Sequence, residues 1–205
     1  RISHVVVMGT GEPFDNYENL AQFIRIINDP NGLNIGMRNI TVSTCGLAPM
    51  IARFAEDFPQ VNLAISLHAV SNEMRDEIMP INKAYPMETL LSACRDYIQK
   101  TARRVTFEYT LVKGVNDSPE HAKKLASQLR GILCHVNLIP LNKVKETGYD
   151  TTERGAVLRF QQALTDCGIP ATIRRELGDD IDAACGQLRL SEKESKALLR
   201  QQENA

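Results

Sequence analysis

The sequence predicts an α/β chain with about six mostly parallel strands. Short apolar runs rich in β-branched residues recur six times, amphipathic patterns spaced by three and four residues lie between them, and glycine, proline or asparagine clusters mark the joins. Right-handed crossovers between such units leave two architectures, an open doubly wound sheet or a barrel, and the pattern alone does not choose between them. In both, ligands bind beyond the carboxyl ends of the strands.

Residues 3–8 (Ser-His-Val-Val-Val-Met) are too short for a helix and run into Gly9-Thr10-Gly11-Glu12-Pro13, as a buried parallel strand followed by a glycine loop would. From Asn16, the positions Tyr17, Leu20, Phe23, Ile24 and Ile27 predict an amphipathic helix that Pro30, Asn31 and Gly32 stop. Residues 38–43 predict the second strand, turning at Thr44-Cys45-Gly46 into a helix over 47–58; residues 61–67 predict the third. A short helix over 71–78, capped by Ser71, and a longer one over 87–101 follow. The scheme then repeats: a strand over 105–112, a helix opened by Ser118-Pro119 and running to about 129, and a strand over 136–139. A polar and mobile stretch is expected over 143–150, a helix over 152–167 closed by Gly168, and a last strand over 171–175. Residues 1–190 are expected to form the core with residues 191–205 as a charged helical tail.

Composition frames these elements. A chain of 205 residues, 43% hydrophobic and 24% charged, can bury one sizeable core. Its 24 basic and 25 acidic side chains give a net charge of -1, which excludes a uniformly basic nucleic-acid binder but leaves room for a local basic patch. Five widely spaced cysteines argue against an extracellular disulfide framework and for a reducing cytoplasm. No apolar run approaches the ~18 residues that span a bilayer. The start, Arg-Ile-Ser, opens almost at once into a strand and is read as the start of a piece of a longer protein.

The strand ends collect the candidate site: Gly11 and Glu12, Ser43, Ser66 and His68, Asn142, and Cys185 beyond the last strand. All are polar or glycine although the strands behind them are apolar. Each has a bland alternative: Gly11 a turn, the serines backbone caps, His68 a satisfied loop histidine. Residues 178–188, Gly-Asp-Asp-Ile-Asp-Ala-Ala-Cys-Gly-Gln-Leu, place one thiol between small residues that allow close approach. The three carboxylates nearby would raise the Cys185 pKa, so it should not be a pre-formed thiolate, and packing under a loop is its structural alternative. Gly9-x-Gly11-Glu12-Pro13 lacks the third glycine of a dinucleotide fingerprint and has no Walker lysine after it. Glycine carbonyls, hydroxyls and an asparagine amide suit a zwitterion bearing a ribose, such as an amino-acid nucleoside. Neither the cysteines nor His4, His68, His121 and His135 are paired at metal-ligand spacing.

Seven blocks, in order and with compatible spacing, carry a resemblance. They are Met8-Gly9-Thr10-Gly11-Glu12-Pro13, Thr41-Val42-Ser43-Thr44-Cys45-Gly46, Leu63-Ala64-Ile65-Ser66-Leu67-His68, Pro80-Ile81-Asn82-Lys83, Gly114-Val115-Asn116-Asp117, Asn137-Leu138-Ile139-Pro140-Leu141-Asn142 and residues 178–188. Together they resemble the radical S-adenosylmethionine RNA methyltransferases, and more narrowly the dual-specificity enzymes that methylate carbon 2 of adenine in large-subunit ribosomal RNA and in transfer RNA.

The resemblance implies an incomplete (β/α)6 barrel lacking its first βα unit. Gly11 and Glu12 match the motif that holds the methionyl amino group, and Ser43, Ser66, Leu67, His68 and Asn142 match further contacts to S-adenosylmethionine. Cys185 matches the catalytic cysteine that is first methylated, loses a hydrogen from that methyl group to a 5′-deoxyadenosyl radical, and adds the carbon to adenine, dividing one hard alkylation into two steps. A [4Fe-4S] cluster, an electron-donor protein and a second cysteine that resolves the adduct as a disulfide also belong to the family.

The departures set further expectations. No Cys-x-x-x-Cys-x-x-Cys occurs, none of Cys45, Cys94, Cys134 and Cys167 occupies the resolving position, and the family's small RNA-binding domain is missing. On its own, therefore, this chain is expected neither to hold the cluster nor to turn over, and its first strand, left as an edge, invites pairing with a second copy or cover by a terminal segment. Two other readings stand beside the main one: methylation at carbon 8 of adenine, as in antibiotic-resistance relatives, and a non-catalytic module that binds nucleoside or RNA through Arg103-Arg104, Lys123-Lys124 and Arg174-Arg175.

Overall fold

A computed structural model of the chain describes residues 2–9, 11–141 and 150–174. Apart from Gly9 and Gly11, whose backbone alone is considered, these belong to one compact unit. Its six strands are β1 (Val5–Val7), β2 (Ile40–Thr44), β3 (Asn62–Ser66), β4 (Val105–Leu111), β5 (Cys134–Pro140) and β6 (Ala171–Ile173). Every neighbouring pair is parallel and the order across the sheet is the order in sequence. A doubly wound sheet reverses its strand order at a switch point; this one never does. Under the right-handed crossover rule, consecutive order puts the helices on one face, as in the wall of a barrel, open among the described residues with β1 and β6 at the edges.

The helices are α1 (Tyr17–Asn28), α2 (Ala48–Asp57), α3 (Asn72–Ile78), α4 (Met87–Thr101), α5 (Pro119–Leu129) and α6 (Arg154–Asp166). Their starts follow the expected chemistry: Ser71 Oγ accepts the Met74 amide at 3.3 Å, and Ser118 Oγ accepts that of His121 at 3.3 Å with Pro119 in the first helical position. Gly168 takes φ +81° after α6, the conformation for which glycine is favoured. α4 instead ends on Ala102 in a left-handed turn at φ +54°, which no sequence signal marked.

Strand pleating divides the sheet into two chemistries. Val42, Leu63, Ile65, Val105, Phe107, Tyr109, Val136 and Leu138 are fully buried against the helices. At the alternate positions stand Thr41, Ser43, Asn62, Ser66, Thr106, Glu108, Thr110, His135, Asn137 and Thr172, giving a polar opposite face. Phe14, just after the first loop, locks into the core against Phe54 of α2 with ring centroids 5.3 Å apart, and Phe54 in turn meets Phe58 at 5.8 Å.

Several boundaries differ from the pattern. Phe23, counted among the apolar positions of α1, is 42% exposed because Tyr17, Leu20, Ile24 and Ile27 already fill the buried stripe. β5 begins at Cys134, two residues early, since Val105 to Cys134 pairing extends the ladder through a histidine that the polar face accommodates. Of the stretch at 143–150 only Asp150 is described; its carbonyl accepts the Lys113 amide at 3.1 Å. The boundary at 190 and the tail at 191–205 lie outside the described residues.

Candidate functional site

Gly9 and Gly11 adopt φ +134° and +97°, a region that side chains avoid, so both glycines of the loop after β1 are required by backbone conformation. Glu12 follows. One of its carboxylate oxygens accepts the Phe14 amide at 3.0 Å, capping a single turn at Pro13–Asn16; the other accepts the Cys45 amide at 2.7 Å. A single side chain thus ties the loop after β1 to the loop after β2. The Cys45 thiol is half-buried and pushed up to about 12, first by burial and then by its hydrogen bond with Glu12, so it is no thiolate.

Arg75 of α3 performs a similar task one strand further on. Fully buried, it donates through Nη2 to the carbonyls of Cys45 (2.6 Å) and Ser66 (3.1 Å), through Nε to Leu67 O (3.2 Å) and through Nη1 to Asn82 Oδ1 (3.1 Å). Asn82 in turn donates to Asp76 at 2.7 Å and to Asn72, whose Oδ1 accepts the Met87 amide at 2.9 Å. Gly46 makes room for this arrangement. A Cβ there would come within 3.0 and 3.1 Å of the Leu90 methyls and 3.3 Å of Arg75 Nη2.

Strand register places Ser66, Glu108, Asn137 and Thr172 in one row across β3 to β6, on the polar face. Asn137 Nδ2 donates to Glu108 Oε2 at 2.8 Å, and burial raises the Glu108 pKa against the opposing pull of that bond and of Arg174. Ser43 belongs to the adjoining row with Ala64, Thr106 and His135. The two serines read from the sequence as ligand contacts therefore do share a face.

His68 sits at φ +57° just beyond β3, held from two sides. Its carbonyl accepts from Asn116 Nδ2 at 3.0 Å, while the Thr110 amide donates to its Nδ1 at 3.1 Å. An Nδ1 that accepts cannot carry a proton, so the ring is the neutral Nε2–H tautomer. Burial, and then the charge of Arg75, depress its pKa to about 4 in the same sense. Asn116 also donates to Thr110 O at 2.8 Å and accepts from the Val112 amide at 2.7 Å, fixing the loop after β4 to the end of β3.

The structure thus brings Glu12, Ser43, Ser66 and His68 to the carboxyl end of neighbouring strands. Leu67 differs: its side chain is fully buried, its amide donates to Glu108 O at 3.1 Å and its carbonyl serves Arg75. Asn142, Cys185 and the rest of 178–188 lie outside the described residues. Arg75, Glu108 and Asn116 carried no expected role. Arg75 reads as one more charge on a polar helix, and Glu108 alone had a local signal, a carboxylate inside an apolar strand.

A [4Fe-4S] cluster does not fit the described cysteines. Cys94 and Cys134 are buried in the core, Cys167 is exposed at the end of α6 and Cys45 is half-buried; among the described residues no group of metal-ligating side chains converges. The polar face fits a zwitterionic nucleoside better, since it offers hydroxyl, amide, imidazole and carboxyl groups in adjoining rows.

Parallel strands in consecutive order with a glycine-glutamate loop after the first define the class. Residues 1–126 match the family model described as the radical SAM superfamily, and the chain belongs to that superfamily. Among curated proteins it is 56% identical over 189 residues to "Probable dual-specificity RNA methyltransferase RlmN" of Thermoanaerobacter sp. (strain X514), covering 92% of this chain and 55% of that protein. It is 58% identical over 196 residues to the protein of the same description from Geobacillus kaustophilus (strain HTA426), covering 96% and 54%. A solved structure, a radical SAM methyltransferase from Sphaerobacter thermophilus, superposes with a TM-score of 0.88 at 51% identity over 91% of this chain and 55% of that one. A domain of pyruvate-formate lyase-activating enzyme from Bacteroides vulgatus, at 21% identity and a TM-score of 0.66, shares the fold. The chain spans about half the length of the curated relatives it matches.

Proposed function

We propose that this chain is the cosubstrate-binding and catalytic-cysteine part of a radical S-adenosylmethionine enzyme that methylates carbon 2 of adenine in large-subunit ribosomal RNA and transfer RNA. The observation that carries the reading is the joining of Glu12, Cys45 and Ser66 through Arg75 into one hydrogen-bonded rim at consecutive strand ends, with His68 held beside it by Thr110 and Glu108, in a chain 56–58% identical to proteins described as dual-specificity RNA methyltransferases. S-adenosylmethionine supplies the methyl group when bound.

The chain's own residues bind and orient. The Gly11-Glu12 backbone faces the amino group, with the Glu12 carboxylate occupied in fixing that loop to Cys45. Ser43 and Ser66 offer hydroxyls from the sheet face, His68 offers its Nε2–H as a neutral donor, and Leu67 contributes position through its anchored backbone. Asn142 completes the contacts. Cys185 is the nucleophile that accepts the methyl group: the new C–S bond forms as the sulfonium–methyl bond of S-adenosylmethionine breaks, S-adenosylhomocysteine is the leaving group and the thiol proton passes to solvent. The described residues do not hold the iron-sulfur cluster, whose ligands belong elsewhere in the parent enzyme, and without them the chain by itself is inactive. Its partners are RNA, an electron-donor protein and, through the β1 edge where Val6 is 61% exposed, a second copy. The reducing cytoplasm suits both the RNA targets and unpaired thiols.

The deciding experiment is nucleoside analysis of ribosomal and transfer RNA treated with the full-length protein, reconstituted anaerobically. Methyl on carbon 2 of adenine, lost in Cys185→Ala, is the expected result. Methyl on carbon 8 would move the target, and unimpaired Cys185→Ala would overturn the covalent route.

A further inference from the structure

Arg75 is buried completely, and among the described residues no carboxylate lies within ion-pair distance of it. A cation taken out of water without a counter-ion is costly and stays charged in an arginine, so strong compensation is required. Four acceptors provide it, and three of these are backbone carbonyls at the ends of two neighbouring strands: Cys45 after β2, and Ser66 and Leu67 at the end of β3. The fourth, Asn82, links the guanidinium to Asp76.

Compensation drawn mainly from backbone carbonyls makes Arg75 sensitive to the loops and the loops to Arg75. Cys45 is the hinge of this arrangement, because its amide is held by Glu12 at 2.7 Å while its carbonyl is held by Arg75 at 2.6 Å. Both peptide planes flanking Cys45 are therefore pinned by charged groups. Three strand-end carbonyls are turned to the guanidinium, which keeps a fixed positive charge behind strand ends on which an incoming carboxylate would dock.

We infer that Arg75 is a positioning residue for the amino-acid end of the cosubstrate: without touching it, Arg75 sets the loop after β2, which Glu12 ties to the loop that faces the ammonium group, and the end of β3 beside it, in the geometry that receives the carboxylate. This rests on the proposed S-adenosylmethionine reading. Lysine at this position would keep the charge but lose the planar fork that serves four acceptors at once, so it separates charge from geometry.

The test compares two probes by calorimetry on the full-length protein: S-adenosylhomocysteine, which carries the amino-acid end, and 5′-methylthioadenosine, which lacks it. In Arg75→Lys the first should bind roughly tenfold or more weakly, as for loss of charge-assisted geometry, and the second within about twofold of the parent. Should Arg75→Lys fail to fold, Asn82→Ala removes one acceptor and leaves the three carbonyls in place, and the same selective loss, smaller in size, is expected. Equal weakening of both probes in the variant that folds, or of neither, would overturn the inference while leaving the cosubstrate reading intact. A parent protein that binds neither probe would overturn both.

Discussion

Glu12 and Arg75 grip opposite ends of one residue: the carboxylate accepts the Cys45 amide at 2.7 Å and the guanidinium donates to the Cys45 carbonyl at 2.6 Å. Neither charged group meets the other directly. The peptide of Cys45 carries the connection, so three successive strand ends form one frame, and disturbance at either charge should be felt at the rim.

Replacing Glu12 by glutamine tests the near side of that frame. The amide keeps one oxygen for Phe14 or Cys45 but presents an NH2 group to the other backbone donor. A loss of about 1–3 kcal/mol in unfolding free energy is expected by denaturant titration, together with weaker S-adenosylhomocysteine binding. Unchanged values for both would show that the carboxylate is dispensable.

His68 gives a pH dependence whose sign follows from its folded state. Its pKa is depressed from 6.5 to about 4, so between those values the unfolded chain binds the extra proton. Stability contributed by the neutral ring is present above pH 6.5 and is lost as pH falls toward 4. His68→Gln should flatten that part of the stability profile. Nitrogen-15 spectra at pH 6 should show the Nε2–H tautomer; a titration midpoint near 6.5 would contradict the Thr110 hydrogen bond.

Gly46→Ala should be poorly tolerated. Its φ of +110° disfavours any side chain, and the added methyl would meet Leu90 at 3.0 Å and Arg75 at 3.3 Å. A destabilisation of about 2–4 kcal/mol is expected from strain and overpacking together, read from thermal unfolding. Leu90→Ala in the same chain should recover part of the packing cost but none of the backbone strain.

Glu108 separates shape from charge. Glutamine preserves an oxygen for Asn137 and should leave unfolding within about 1 kcal/mol of the parent, whereas leucine strands the Asn137 amide and should cost about 1–3 kcal/mol. Equal tolerance of both would place Asn137 in contact with another acceptor.

The alternation of strand and helix was readable because each buried strand is flanked by punctuation: Gly9 and Gly11, Cys45-Gly46, Ser118-Pro119 and Gly168 all stand where the chain turns. Ser43 and Ser66 were likewise readable as strand-end hydroxyls, and the register puts both on the polar face. Consecutive strand order was not readable from the pattern of units, which could wind either way, and came only with the resemblance, whose incomplete barrel the sheet matches. Arg75 was hidden for a different reason. A charged residue on a short helix carries no local mark of burial, and three of its four partners are backbone carbonyls, which every residue possesses, eight to thirty residues away. Leu67 shows the converse, a position matched to ligand contact whose side chain belongs to the core.

Strand order that follows the sequence also shapes how such a sheet can be made. Each strand pairs only with those formed immediately before and after it, so the wall can extend unit by unit as the chain leaves the ribosome, every new βα segment docking on a surface already in place. Synthesis from the amino end would complete the Glu12–Cys45 tie first and the β3 staple of Arg75 next, so that the rim is assembled before β5 and β6 emerge to close its far side.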